Sequence, residues 1–171
     1  MKDMSVLITG GGSGIGEEAA RYYAENGAKV TICGRREEKI HAVAQSIGPL
    51  CTWVVADVTK TADLKKIVTH CVEHGGGIDA LISNAGNMLR RSIGDWTEES
   101  LIDIFHTNVV AGMLLSQEAV AEVFETVSGV DFYAPKHEII FDAILKLYTG
   151  SEPTDTITTT AELTRQGNLV R

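Results

Sequence analysis

A chain of 171 residues and 18.4 kDa has room for one ordinary domain or two small ones, which excludes a long multidomain machine. With 44% hydrophobic and 22% charged residues it can bury a core, and no apolar run approaches the roughly 18 residues that span a bilayer, so a globular protein outside the membrane is expected. The formal charge of −8 argues against a surface that tracks nucleic-acid phosphates, and residues 112–171 are the more acidic part, with 4 Lys and Arg against 9 Asp and Glu. The opening Met1-Lys2-Asp3-Met4-Ser5 has no apolar segment with a cleavage site, so a cytoplasmic protein is expected. Cys33, Cys51 and Cys71 form no C-x-x-C pair and are expected to be buried free thiols.

From Ser5 to about Ala85 short β-branched runs alternate with segments of helical spacing, the grammar of βαβ units. Ser5–Thr9 reads as a first strand, Ala28–Cys33 as a second, Cys51–Ala56 as a third and Asp79–Ser83 as a fourth. These continuous apolar runs suit a parallel sheet covered on both faces. Between them Ile15/Ala19/Ala20/Tyr23, Ile40/Val43/Ala44/Ile47 and Leu64/Ile67/Val68/Cys71/Val72 repeat at the spacing of helices with one buried face. Gly27 and Gly48 stand where C-terminal caps belong.

After Gly94 the strand pattern stops. Thr97 can cap a helix with Glu98 and Glu99 in its first turn, followed by Leu101, Ile104, Phe105 and Val109 at helical intervals and running on towards Val127, with Gly129 as terminator. Pro135 opens a helix whose inward positions are expected at Ile140, Ile144, Leu147 and Tyr148, and a last helix spans about Thr158 to Gln166.

The chemistry concentrates in Thr9-Gly10-Gly11-Gly12-Ser13-Gly14-Ile15-Gly16, directly after the first strand and opening the first helix. Glycines there allow a tight turn and close approach of a pyrophosphate, while the helix N-terminus offers free N–H groups and a positive dipole end. Glu17-Glu18 occupy the place where an ATP-hydrolysing phosphate loop needs Lys and Ser or Thr. At the end of the second strand Arg35 and Arg36 supply cations and no carboxylate, which favours the 2′-phosphate of NADP(H) over the ribose hydroxyls of NAD(H). Asp57-Val58 after the third strand can meet an adenine edge, and Ser83-Asn84-Ala85-Gly86 after the fourth closes the crevice. His70-Cys-Val-Glu-His74 spells an inverted zinc-protease motif, but Cys71 and Val72 belong to the sheet-facing stripe, and no metal site is expected.

These residues resemble the short-chain dehydrogenase/reductase family, whose TGxxxGxG, D[VL] and NNAG motifs match Thr9 to Gly16, Asp57-Val58 and Asn84-Ala85-Gly86, with Ser83 replacing the first Asn. The resemblance runs from about Val6 to about Gln117, and Asn108 matches the family's helix asparagine, implying a catalytic role for it. It implies a dinucleotide site at Gly10, Gly12, Ser13, Gly14, Ile15, Gly16, Arg35, Arg36, Asp57, Val58, Asn84, Ala85 and Gly86. The family's catalytic tetrad also needs a Ser on a fifth strand and a Tyr-x-x-x-Lys pair, in which Lys lowers the Tyr pKa for proton exchange with substrate. Here no Tyr is followed four residues later by Lys, and Tyr133 has Lys136 only three residues on. The cofactor half is present without the catalytic half, so efficient oxidoreductase activity is not expected.

The remainder, from about Ala111 to Val170, resembles the N-terminal helical domain of DnaB-type replicative DNA helicases through Glu118–Phe124, Asp131-Phe-Tyr133, His137–Ile144, Leu147-Tyr148, Pro153-Thr-Asp155 and Glu162–Gly167. In that family the domain forms a ring collar and contacts protein partners without hydrolysing ATP. Ala111–Ser116 suits both families, so a chimera joined through a shared helical segment is inferred. The expected architecture is half of a doubly wound Rossmann α/β sheet, strand order 3-2-1-4, in residues 1–111, followed by an all-helical segment in residues 112–171. A sheet stopping at its fourth strand leaves an apolar edge, so a homodimer is expected, with a helical protein partner as the other expectation and no direct nucleic-acid or membrane contact.

Overall fold

The computed structural model describes residues 1–88, 92, 95–126, 128, 135–150, 152 and 156–169. Arg90-Arg91, Gly94, Val127, Gly129, the Asp131-Phe-Tyr133 triplet and Pro153-Thr-Asp155 lie outside them. The described residues form two compact units, Met1–Glu122 and Val123–Arg171.

The first unit runs β1 (Ser5–Thr9), α1 (Gly14–Glu25), β2 (Lys29–Gly34), α2 (Glu37–Ile47), β3 (Cys51–Val55), α3 (Thr61–Gly75) and β4 (Ala80–Ile82). The strands are parallel in the order β3-β2-β1-β4, with Val6 opposite Val30 on one side and Ala80 on the other. The parallel sheet is the one expected from the alternating pattern, and its order is the one the family resemblance implies. Because side chains alternate along a strand, β1 feeds both faces. Val6 and Ile8 join Ala20, Ile32, Ile40 and Val43 beneath α1 and α2. Leu7 joins Leu64, Ile67 and Cys71 of α3 on the opposite face. Every residue of β1 is buried, whereas Ala80, Leu81 and Ile82 of β4 are only half-buried. β1 thus sits centrally with helices on both sides, and β4 is the outer strand on its side of the sheet.

Helix α4 (Glu98–Phe105) starts at the expected cap: Ser100 N–H donates to Thr97 Oγ1 at 3.2 Å, and Thr97 N–H donates to Ser100 Oγ at 3.1 Å. A five-residue π-helical segment, His106–Val110, then leads into α5 (Ala111–Thr126). The π turn was not foreseen by a reading based on regular spacing. Ala111, Leu115 and Ala119 are buried, and the last two join the α3 face of the sheet. Leu101, Phe105 and Val109, which the helical spacing puts on one face, stand exposed instead.

In the second unit α6 (Pro135–Thr149) begins at the expected proline and packs against α7 (Thr156–Arg165). Its buried positions are Phe141, Ala143 and Leu147, while Ile140, expected inward, is exposed. Glu162 on α7 links the pair: Lys146 Nζ lies 3.0 Å from Oε1, and Arg165 Nε and Nη2 each reach the carboxylate at 2.7 Å. Hydrogen bonds from Arg165, Gln166 and Lys146 outweigh desolvation and hold Glu162 well below the usual carboxylate range. No helix among the described residues is long and apolar enough to cross a membrane.

Candidate functional site

At the C-terminal ends of the strands, where open parallel sheets take their ligands, a cleft of about 440 Å³ opens. Gly10, Gly12 and Ser13 line it from the β1–α1 loop, Arg35, Arg36 and Lys39 from the end of β2 and the start of α2, Asp57 and Val58 from beyond β3, and Asn84, Ala85 and Gly86 from beyond β4. Three separate crossovers therefore bring together most of the residues singled out in the sequence. Gly14, Ile15, Gly16 and Asn108 do not line the cleft.

The first turn of α1 is shaped for close approach. Ser13 is the N-cap in extended conformation, but its side chain makes no capping hydrogen bond, leaving the helix N-terminus without the usual hydroxyl acceptor. Gly14 sits at φ +59°, and a Cβ there would meet nothing within 4 Å, so its constraint is backbone handedness and open space. Gly16 is constrained by contact: a Cβ would fall 2.5 Å from both Asn84 Nδ2 and the Gly10 carbonyl. Ile15 projects outward and is 82% exposed.

Two loops are tied by a buried hydroxyl. Thr9 Oγ1 accepts the N–H of Asn84 at 3.0 Å and of Ala85 at 2.9 Å, while Asn84 Nδ2 donates to the Thr9 and Gly10 carbonyls at 3.0 and 3.3 Å. Asn84 thus fixes the glycine loop with its amide. On the other wall, Thr59 donates to Asp57 Oδ1 from its N–H at 3.1 Å and its hydroxyl at 2.8 Å. Partial burial works to raise the Asp57 pKa, but those two bonds, with Arg35 and Lys60 nearby, outweigh it and hold the carboxyl below its ordinary value. Arg36 Nη2 donates to Ser13 Oγ at 3.4 Å, bringing its guanidinium beside the glycine loop.

Asn108 lies in the π segment, where Nδ2 donates to the Asn87 carbonyl at 2.8 Å and Oδ1 accepts the Asn87 N–H at 2.6 Å. Both ends of its amide are engaged with the loop after β4. The sequence reading did not single out Lys39, Ile40, Gly34, Ala56 or Thr107 as cleft residues. Lys39 was legible, one helical turn after Arg36 on the same segment. Thr107 was not, because it reaches the cleft through the π turn.

The three cysteines are free and buried, and burial pushes the Cys33 and Cys51 thiols up to about 12. His70 and His74 are hydrogen-bonded to the β3 end of the sheet, to Thr52 Oγ1 at 3.1 Å and the Leu50 carbonyl at 3.3 Å.

Comparison with known proteins gives two families along one chain. The short chain dehydrogenase model matches residues 4–130, and the DnaB-like helicase N terminal domain matches residues 106–171. An uncharacterized oxidoreductase of Staphylococcus aureus is 32% identical over 130 residues, covering 75% of this chain and 56% of the relative. The replicative DNA helicase DnaB of Leifsonia xyli is 61% identical over 64 residues, 37% of this chain and 14% of the helicase. Among solved structures, a 3-ketoacyl-(acyl-carrier-protein) reductase from Brucella melitensis complexed with NADH superposes with a TM-score of 0.69 at 31% identity, covering 76% of this chain and 53% of that one. A short chain dehydrogenase from Burkholderia cenocepacia in complex with NADP gives a TM-score of 0.66 at 31% identity, covering 70% and 51%. The chain thus spans about half the length of the oxidoreductases it matches.

Proposed function

Since the chain belongs to the short-chain dehydrogenase family through residues 4–130 and carries on into a DnaB-like helicase N-terminal segment through residues 106–171, we propose that this chimera binds NADP(H) in preference to NAD(H), without efficient oxidoreductase activity. The observation that carries the reading is the cleft in which Gly10, Gly12 and the N-cap residue Ser13, leading into the uncapped α1, share the lining with Arg35, Arg36 and Lys39. The helix end suits a pyrophosphate. The cation cluster suits an additional phosphate on the adenine ribose, where NAD(H) would call for a carboxylate. Asp57, with its charge held by Thr59, and Val58 line the same cleft and would meet the adenine. The nicotinamide would supply hydride chemistry, yet the sequence has no Tyr-x-x-x-Lys pair to exchange the substrate proton. Asn108 acts here as a positioning residue, because its amide is bonded to the Asn87 backbone.

Calorimetry with NADPH and NADH tests this. Heat with NADPH in the micromolar to millimolar range, weaker with NADH, is expected, and no heat with NADPH at millimolar concentration refutes it. Steady NADPH oxidation with an aldehyde or ketone panel, lost in Asn108→Ala, would refute the absence of catalysis.

A second reading is favoured by the 61% identity of the helical segment to a helicase N-terminal domain: a helical protein-interaction module beside a vestigial nucleotide site. Without another partner on that edge, two copies in the cytoplasm would pair, fourth strand to fourth strand about a two-fold axis. Light scattering decides between that homodimer and a monomer.

A further inference from the structure

The surface around β4 has two adjoining features that the nucleotide site does not use. The first is the strand itself, which pairs with β1 on one side and is the last strand in the order β3-β2-β1-β4. The second is an apolar stripe along α4, the π segment and α5, in which Leu101, Phe105, Val109 and Met113 recur every four residues. Leu101 is 53%, Phe105 61% and Met113 63% exposed. The two belong to one surface. Asn108 bonds the π segment to Asn87 in the loop after β4, and the start of α5 is so close to the end of β4 that a Cβ on Gly112 would stand 2.5 Å from Ser83 Oγ. Large apolar side chains in a contiguous exposed stripe beside an open strand mark a docking surface.

What fits it follows from where the resemblance stops. The Staphylococcus oxidoreductase is matched over 56% of its length and the Brucella reductase over 53%, so nearly half of each has no counterpart in this chain. A doubly wound sheet of order 3-2-1-4 continues past its fourth strand into a second βαβ half, whose first strand lies in parallel against β4 and whose helices cover the adjoining face. We propose that the β4 edge and the Leu101–Met113 stripe form a docking surface for a separate polypeptide carrying the second half of a short-chain dehydrogenase fold. This inference rests on the sheet and the family, not on nucleotide preference. A second copy of the chain is the poorer occupant. Two three-residue strands meeting edge to edge exchange few hydrogen bonds, and pairing β4 with β4 places no helix on the stripe. The complementing half satisfies both features and displaces a homodimer where one forms.

The test is coexpression of the full chain with a tagged fragment of the Staphylococcus oxidoreductase beginning where its match to this chain ends. Capture of the chain in a 1:1 complex is expected, with backbone hydrogen exchange slowed at least tenfold at Ala80–Ile82 and along Leu101–Met113. Phe105→Asp is expected to abolish capture while leaving the circular dichroism spectrum of the chain unchanged. A second variant, Val109→Asp, guards against a folding defect peculiar to the first. Absence of a complex overturns the proposal, as does capture indifferent to both variants, or a homodimer that persists beside excess fragment and protects the same residues. NADPH binding by the uncomplexed chain is measured separately, so loss of the nucleotide reading and loss of this one give different results.

Discussion

Removing the Thr9 hydroxyl isolates the contact that joins the glycine loop to the loop after β4. Thr9 is 1% exposed, and its Oγ1 accepts two backbone N–H groups, those of Asn84 and Ala85. Thr9→Val keeps the shape and the β-branch, so packing and strand preference change little and the missing acceptor dominates. An unsatisfied buried donor costs about 1–3 kcal/mol, and with partial relaxation of the half-buried loop the pair puts the loss at about 2–4 kcal/mol. At an m-value of about 2 kcal/mol/M in urea, the midpoint falls by roughly 1–2 M. Trp53 and Trp96 both lie in the first unit, so tryptophan fluorescence follows its unfolding without reporting on α6 and α7. Thr9→Ser restores the acceptor and is expected within about 1 kcal/mol of the parent chain. If Thr9→Val and Thr9→Ser unfold at the same urea concentration as the parent, the hydroxyl does not hold the two loops and the account of the cleft wall fails.

Gly14→Val puts a β-branched residue at φ +59°, costing about 1–2 kcal/mol in backbone conformation and filling the open space before the helix N-terminus; NADPH heats in calorimetry should vanish while circular dichroism is retained. Arg36→Ala should weaken NADPH binding about tenfold and leave NADH unchanged, the modest size reflecting an exposed guanidinium; equal losses for both nucleotides would remove it from the 2′-phosphate. For Glu162 the folded pKa lies below the unfolded value, so its contribution is fully present above about pH 4.3 and is lost as the pH falls from there towards the folded value. Thermal melts followed by circular dichroism should therefore show Glu162→Gln less stable than the parent at pH 6, with the difference narrowing as the pH falls below about 4, and a constant gap would contradict the linkage.

Periodicity made the first unit legible because each strand and helix there is satisfied by neighbours on the same chain. Strand identities follow from continuous apolar runs alternating with helical stripes, the 3-2-1-4 order is what the family resemblance implies, and the strand limits differ from the expected ones by at most a residue or two: β2 starts at Lys29 and β4 contracts to Ala80–Ile82. The glycine loop was readable because its position between strand and helix dictates what it can do. Two features were not. Leu101, Phe105 and Val109 carry a pattern that signals burial, and spacing says nothing about whether the covering partner is present. The π turn at His106–Val110 has no propensity signature, so neither Thr107 in the cleft wall nor the Asn108–Asn87 contact could be placed beforehand. On α6 the buried face was misphased at one position. Ile140 faces solvent and Phe141 is buried, and the larger aromatic surface gains more from burial.

The junction itself has a physical explanation. The two family matches overlap across residues 106–130, which include the whole of α5. A helix packed on a parallel sheet needs small or aliphatic side chains at four-residue intervals, and buried Ala111, Leu115 and Ala119 supply them, the last two closing over the face shared with Leu7 and Ile67. A helix in a bundle needs the same pattern for a neighbouring helix. Recombination inside such a segment leaves the sheet's requirement met whichever parent supplied the residues, whereas a break inside a strand would cost the ladder of hydrogen bonds and reverse which side chains face the core. The cofactor half thus keeps its last covering helix, and what the exchange removes is the part of the fold that would have lain against β4 and the stripe from Leu101 to Met113. That is why the cleft is assembled while, among the described residues, Leu101, Phe105 and Met113 stand exposed.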